Sequence, residues 1–232
     1  MLILAIDTAL DACSAAVLDT TAGTTIAIES QAMQRGHAEA LMPLIARVMQ
    51  DSGIAFTALD RIAVTTGPGS FTGLRVGLSA ARGIALAAEK PVVGLTTLAA
   101  YAAPVVAENA EYPILSAIDA RHDHVYFQVV SGDGNPLVKP KVAPIAEALE
   151  AVSLGALHLV GNAAKILADR WPADATSPFK VDTQPAPDIT WVAWVGAAID
   201  PTTAPPRPFY LRAPDAKPPR DQLQLSAQPS AT

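Results

Sequence analysis

Between an apolar run at Arg61–Thr66 and an Ala/Gly-rich run at Leu74–Ala88 lies Gly67-Pro-Gly-Ser-Phe-Thr-Gly-Leu-Arg75, the segment that most constrains the fold. Three glycines and a proline at a strand-to-helix switch describe a tight loop feeding a helix N-terminus. Unpaired backbone N–H groups there meet an anion or another stretch of backbone. The loop is not a Walker sequence, because no Gly-Lys-Ser/Thr follows. Nor does Ser70 sit in a nucleophile elbow, since Pro68 and Thr72 hold the places that Gly-x-Ser-x-Gly gives to glycine. In the helix that follows, Gly73, Gly77, Ala81 and Ala85 recur every fourth residue, a ridge without bulk that lets a neighbour approach the backbone. Arg75, Ser79 and Arg82 form a polar stripe beside it. Two readings stay open: internal packing with a solvated stripe, or a helix presented to a partner chain.

The chain has 232 residues, half of them apolar, enough for one large or two small domains with a real core. A formal charge of −6 without any basic block argues against an unaided grip on a phosphate backbone. Cys13 is the sole cysteine, so no internal disulfide or thiolate cluster can form, as suits a reducing compartment. Met1–Ile6 has no basic leader and is too short for a signal sequence or membrane span, and Pro104 interrupts the apolar run at 98–107. A soluble, cytoplasmic protein without membrane partners is expected.

Leu2–Ile6, Ser14–Leu18 and Thr24–Glu29 read as an antiparallel strand meander. Over His37–Gln50, Leu41, Leu44, Ile45, Val48 and Met49 fall on one helical stripe that Gly53 closes, with Pro43 tolerable only in the first turn or as a kink. A strand at Ile62–Thr65, a helix at Gly73–Ala88, a strand at Val92–Leu95 and a helix at Thr97–Ala107 follow. This order is that of the ribonuclease-H-like module of actin-like α/β folds. The second half echoes it, with strands at Ile114–Ala120, Val125–Val130, Leu137–Val142 and Leu157–Val160. Helices are expected at Ile145–Ala151, Ala163–Arg170 and Ile189–Ile199. The expected division is an N-terminal lobe over 1–108, a smaller, reduced C-terminal lobe over 109–212, and a disordered Pro-rich tail over 213–232.

Asp7 and Thr8 end the first strand, where a carboxylate and a hydroxyl could hold a metal-bound phosphate. Leu10 and Asp11 fit poorly beside a triphosphate, so Asp7 reads first as a turn-capping residue. Asp119, His122, Asp123 and His124 are the one cluster with metal-ligand chemistry, read as a wet strand start because no third ligand stands at a recognisable spacing. His37 reads as a helix-start residue, and His158 has no evident role.

Several of these segments occur together in one known group. Ile3-Leu-Ala-Ile-Asp-Thr8, Cys13-Ser-Ala-Ala-Val17, Arg35-Gly-His-Ala-Glu-Ala-Leu-Met-Pro43, Gly67–Gly77, Asp119-Ala-Arg121 with Val125-Tyr126, and Pro208-Phe-Tyr-Leu-Arg212 resemble the bacterial TsaB (YeaZ) family. The resemblance implies an actin-like-fold, non-catalytic subunit needed to form threonylcarbamoyladenosine at position 37 of tRNAs that read codons beginning with adenine. It implies a catalytic TsaD partner, a TsaE-like ATPase, contact with tRNA only through the complex, and neither cofactor nor metal. In TsaD-like chains a His-x-x-x-His pair opens the helix after the strand equivalent to Val92–Leu95; here Thr97 and Tyr101 take those places, and neither replaces an imidazole as a metal ligand. On this reading Leu41, Met42, Ile45 and Leu78 anchor the partner, Arg75 and Arg82 rim the contact, and the same face serves self-pairing. Gly67, Gly69 and Gly73 shape the loop, and Asp7 with Thr8 marks a vestigial nucleotide site. The rival is a metal-dependent, peptidase-like or ATP-hydrolysing enzyme of the same fold.

Overall fold

Alternation in the first strands dictates a sheet buried on both faces: Ile3 and Ala5 point one way, Leu4 and Ile6 the other, and all are inaccessible. The structure, a computed structural model, describes residues 1–108 and 110–212, so the Pro-rich tail expected over 213–232 lies outside the described residues. Strands β1 (Leu2–Asp7), β2 (Ala12–Asp19) and β3 (Thr24–Ala32) form the antiparallel meander. Helix α1 (His37–Ser52) leads to β4 (Arg61–Thr65), helix α2 (Phe71–Ala88), β5 (Val92–Leu95) and helix α3 (Thr97–Ala107). The sheet order is β3-β2-β1-β4-β5, with β1, β4 and β5 parallel, which is the ribonuclease-H-like arrangement expected from the sequence.

The second half repeats it. Strands β6 (Ile114–Asp119), β7 (His124–Val130) and β8 (Pro136–Pro144) form the meander. Helix α4 (Ile145–Leu149), β9 (His158–Val160), helix α5 (Ala164–Asp169) and β10 (Lys180–Asp182) follow. The order β10-β9-β6-β7-β8 is the first lobe's order read from the other edge. The fold is therefore the two-lobe actin-like one. The reduction of the second lobe lies in its short helices and three-residue outer strands; β10, absent from the sequence reading, completes the sheet.

Helix α6 (Ile189–Ala198) departs from the expected division. It was expected with the C-terminal lobe, yet Ile189, Val192 and Ala193 pack on Ile3, Ala5, Ala16, Leu18, Ala63 and Val93 of the first sheet. Gly196 makes the close approach feasible, since a Cβ there would stand 2.3 Å from the Ala63 Cβ. Arg61 Nη1 donates to the carbonyls of Gly196 (2.8 Å) and Ala197 (3.1 Å), capping the end of α6 from β4. The chain then runs along the first lobe, with Gly94 N donating to Ala204 O and Phe209 N to Thr66 O. The opposite face of the first sheet is covered by α1 and α2. α1 runs through Pro43 without interruption.

Candidate functional site

The glycine loop is shaped by the turn that follows β1. Ser70 N donates to Ala9 O at 2.7 Å, and the Ser70 hydroxyl caps α2 by accepting from Gly73 N at 3.2 Å. Thr8 Oγ1 donates to Gly73 O at 2.7 Å. A Cβ on Gly69 would lie 2.3 Å from Ala9 O, and one on Gly73 would lie 2.1 Å from Thr8 O. Gly67 has φ +111°, which only glycine adopts readily, and the Gly67–Pro68 peptide is cis. The α2 N-terminus thus meets backbone, the second of the two options open to it.

Asp7 is wholly buried. Its Oδ1 accepts from Ala9 N at 3.1 Å and from the Thr65 hydroxyl, while Oδ2 has no hydrogen-bond partner among the described residues. Burial raises its pKa, against the lowering effect of the Thr65 and Ala9 hydrogen bonds. Asp7 and Thr8, read as a vestigial nucleotide site, lie where Gly69 and Gly73 pack so closely on the carbonyls of Ala9 and Thr8 that neither admits a Cβ. Thr97 and Tyr101 are buried, and Tyr101 Oη donates to Gln184 O at 2.9 Å. The Asp119 cluster is spent on local structure. Asp119 Oδ1 accepts from Arg121 N (2.8 Å), Asp123 pairs with Arg170, and His124 Nδ1 lies 2.7 Å from His122 O. His37 Nε2 sits 3.0 Å from Leu10 O, and His158 Nε2 pairs with Asp182 at 2.8 Å.

The anchors expected on the helix face divide. Leu41, Ile45 and Leu78 are buried in the chain's own core beneath α1 and α2, so they are corrected from contact residues to core residues; Leu78→Arg would unfold the chain rather than test a contact. Periodicity shows that a helix face is buried, not against what. Met42 is half exposed, Arg75 lies over the Phe71 ring at 3.8 Å, and Arg82 donates to Pro206 O. Met42, Phe71, Arg75, Val76 and Ser79 line an open groove between α1 and α2.

Elsewhere, three of the blocks that carry the resemblance meet beside the turn after β1. Ala9–Asp11, Pro68–Phe71, Asp119–Arg121, Tyr126 and Phe209–Arg212 line one cleft of about 420 Å³ between the lobes. Arg121, on its wall, opens a left-handed run with His122 and Asp123, with φ between 50° and 63°. Phe71 and Tyr210 stack at 5.2 Å across its mouth. Asn162, whose Oδ1 accepts from Asp119 N at 2.9 Å, and Tyr210 were not singled out from sequence; only the Pro208–Arg212 block signalled the latter.

The model of the TsaD family, tRNA N6-adenosine threonylcarbamoyltransferase, matches residues 25–173. YeaZ from Pseudomonas aeruginosa superposes with a TM-score of 0.72 at 26% identity, covering 90% of this chain and 99% of that one. The chain belongs to the TsaB (YeaZ) family. The tRNA threonylcarbamoyladenosine biosynthesis protein TsaB of Escherichia coli (strain K12) is 38% identical over 135 residues, 58% of this chain and 57% of that protein. The match thus spans little more than half the length of that curated TsaB relative. An uncharacterized protein of Mycobacterium tuberculosis (strain ATCC 25618 / H37Rv) is 32% identical over 220 residues, 93% of this chain and 94% of its own. Among the described residues no helix is long and apolar enough to cross a membrane.

Proposed function

We propose that this chain is a non-catalytic subunit in the formation of threonylcarbamoyladenosine on tRNA, and that it docks on a TsaD-like catalytic subunit through the α1–α2 face. The observation that carries the reading is the pairing of a sealed loop with an open helix face. Thr8, Ala9, Gly69 and Gly73 pack backbone on backbone at the end of β1, while Met42, Phe71 and Val76 leave apolar surface uncovered between two long helices. Arg75 and Arg82 stand at the rim, Arg82 already engaged with the chain's own Pro206. A TsaE-like ATPase joins the assembly, and a second copy of the chain pairs through the same face when the partner is missing. The excess of acidic residues supports contact with tRNA through the complex rather than by this chain alone.

Co-expression with a TsaD-like chain tests the face. Met42→Glu combined with Val76→Glu abolishes co-purification while the far-ultraviolet circular dichroism is retained; Leu137→Glu, an exposed site on β8, leaves the complex intact. Survival of the complex in the double variant would show the face to be wrongly assigned. Reconstituted tRNA modification tests the role. Product formed by this chain without the TsaD-like subunit would overturn the non-catalytic reading.

A further inference from the structure

The face of the second sheet that looks toward α3 alternates Ile114, Ser116, Ile118 on β6 with Tyr126, Gln128, Val130 on β7. The isoleucines and Val130 join an apolar cluster with Leu98, Tyr101 and Val105. Ser116 and Gln128, directly opposed across the strands, are the polar interruption. Ser116 Oγ is buried without a hydrogen-bond partner among the described residues. Gln128 is only 6% exposed, and its side-chain amide makes no hydrogen bond among the described residues. An amide at the wall of an apolar groove with no protein partner keeps its donor and acceptor available to whatever fills the groove.

Gln128 lies on the wall of a groove of about 330 Å³ that α3 and α6 enclose. Ala102, Ala103 and Val106 on α3 keep one side shallow, and Trp191, Trp194 and Val195 on α6 form the other. Not one side chain lining it is charged, and neither helix carries a charged residue anywhere along its length. Both tryptophans, on α6, are only half-buried.

We propose that this groove is a binding site for a small, uncharged, planar ligand that presents one amide-complementary donor–acceptor edge to Gln128. The size is that of a small-molecule site, mostly apolar with one fixed polar group. The carbonyl and NH₂ of Gln128 supply an adjacent acceptor and donor, the pairing with which an amide reads a matching edge. Indole rings suit a flat partner. A charged ligand is disfavoured because it would lose hydration with no counter-charge in reach.

Benzamide, benzoate and ethylbenzene share a shape and differ in the property that matters. With ¹⁵N-labelled indoles, benzamide is expected to shift the Trp191 and Trp194 signals. Trp171, whose Nε1 donates to Thr176 O outside the groove, is the internal control. Benzamide should bind about tenfold more tightly than either of the other two probes. Gln128→Leu should erase its advantage over ethylbenzene, and Ala103→Leu, which fills the groove from α3, should abolish binding of both. Unmoved Trp191 and Trp194 signals, equal binding of benzamide and benzoate, or a benzamide preference that survives Gln128→Leu would each overturn the proposal.

Discussion

The Thr8 hydroxyl donates to the Gly73 carbonyl at 2.7 Å, and the Thr8 carbonyl stands where a Cβ on Gly73 would be, 2.1 Å away. One residue of the β1 turn therefore both holds the first turn of α2 and requires it to be bare. Gly73→Ala is expected to cost ~2 kcal/mol or more in urea unfolding, because backbone rather than a flexible side chain must move. Gly83, on the exposed side of the same helix, meets nothing within 4 Å. Gly83→Ala should stabilise by ~0.5–1 kcal/mol, by helix propensity and reduced freedom of the unfolded chain. Opposite signs within one helix check the packing directly.

Burial holds the Asp7 carboxyl above its ordinary value of 3.8. The folded state then keeps its proton more tightly than the unfolded state. The Asp7 contribution is most favourable below the unfolded pKa and is lost as the pH rises from there through the raised folded value. The stability difference between the native chain and Asp7→Asn, measured by denaturant titration from pH 3 to pH 8, should shift in favour of the asparagine variant along that limb and flatten above it. A difference independent of pH would contradict the burial argument.

Arg61 reaches from β4 to the last carbonyls of α6. Arg61→Met keeps the aliphatic stem and removes the charged hydrogen bonds, so a loss of ~2 kcal/mol is expected. Hydrogen exchange should rise first across 189–199, before the first sheet itself opens. Uniform exchange changes would mean that α6 is held by its apolar contacts alone.

Cys13 is buried on β2, and desolvation, with smaller contributions from Asp7 and Glu29, pushes its thiol from 9.0 up to about 11. That shift alone cuts the thiolate fraction ~100-fold near neutral pH. An aromatic disulfide reagent should therefore titrate Cys13 only in denaturant, and rapid labelling of the native chain would show that β2 is accessible.

Much of the first lobe was legible in sequence because its strands alternate and its helices carry clear stripes and caps. β5 and α3 match the expectation residue for residue, helped by Thr96, whose hydroxyl accepts from Ala99 N. α2 starts earlier than its apolar run, since Ser70 sets the cap. β10 was illegible: Lys180–Asp182 is too short to show a period and exists through pairing with β9. α6 is apolar on every side, so its sequence identifies a buried helix without saying which sheet buries it. The same ambiguity misassigned Leu41, Ile45 and Leu78, whose stripe is real but turned inward. The cleft was half legible, because its blocks were recognised singly while only folding brings Tyr210 to Phe71.

The return of α6 to the first sheet bears on how such a chain is made. Ile3, Ala5, Ala16 and Leu18 stay uncovered on one side until residues 189–198, made far later than they are, have emerged. Synthesis interrupted between these segments would therefore strand a sticky half-product, and the first sheet and α6 cannot be separated without leaving that surface bare.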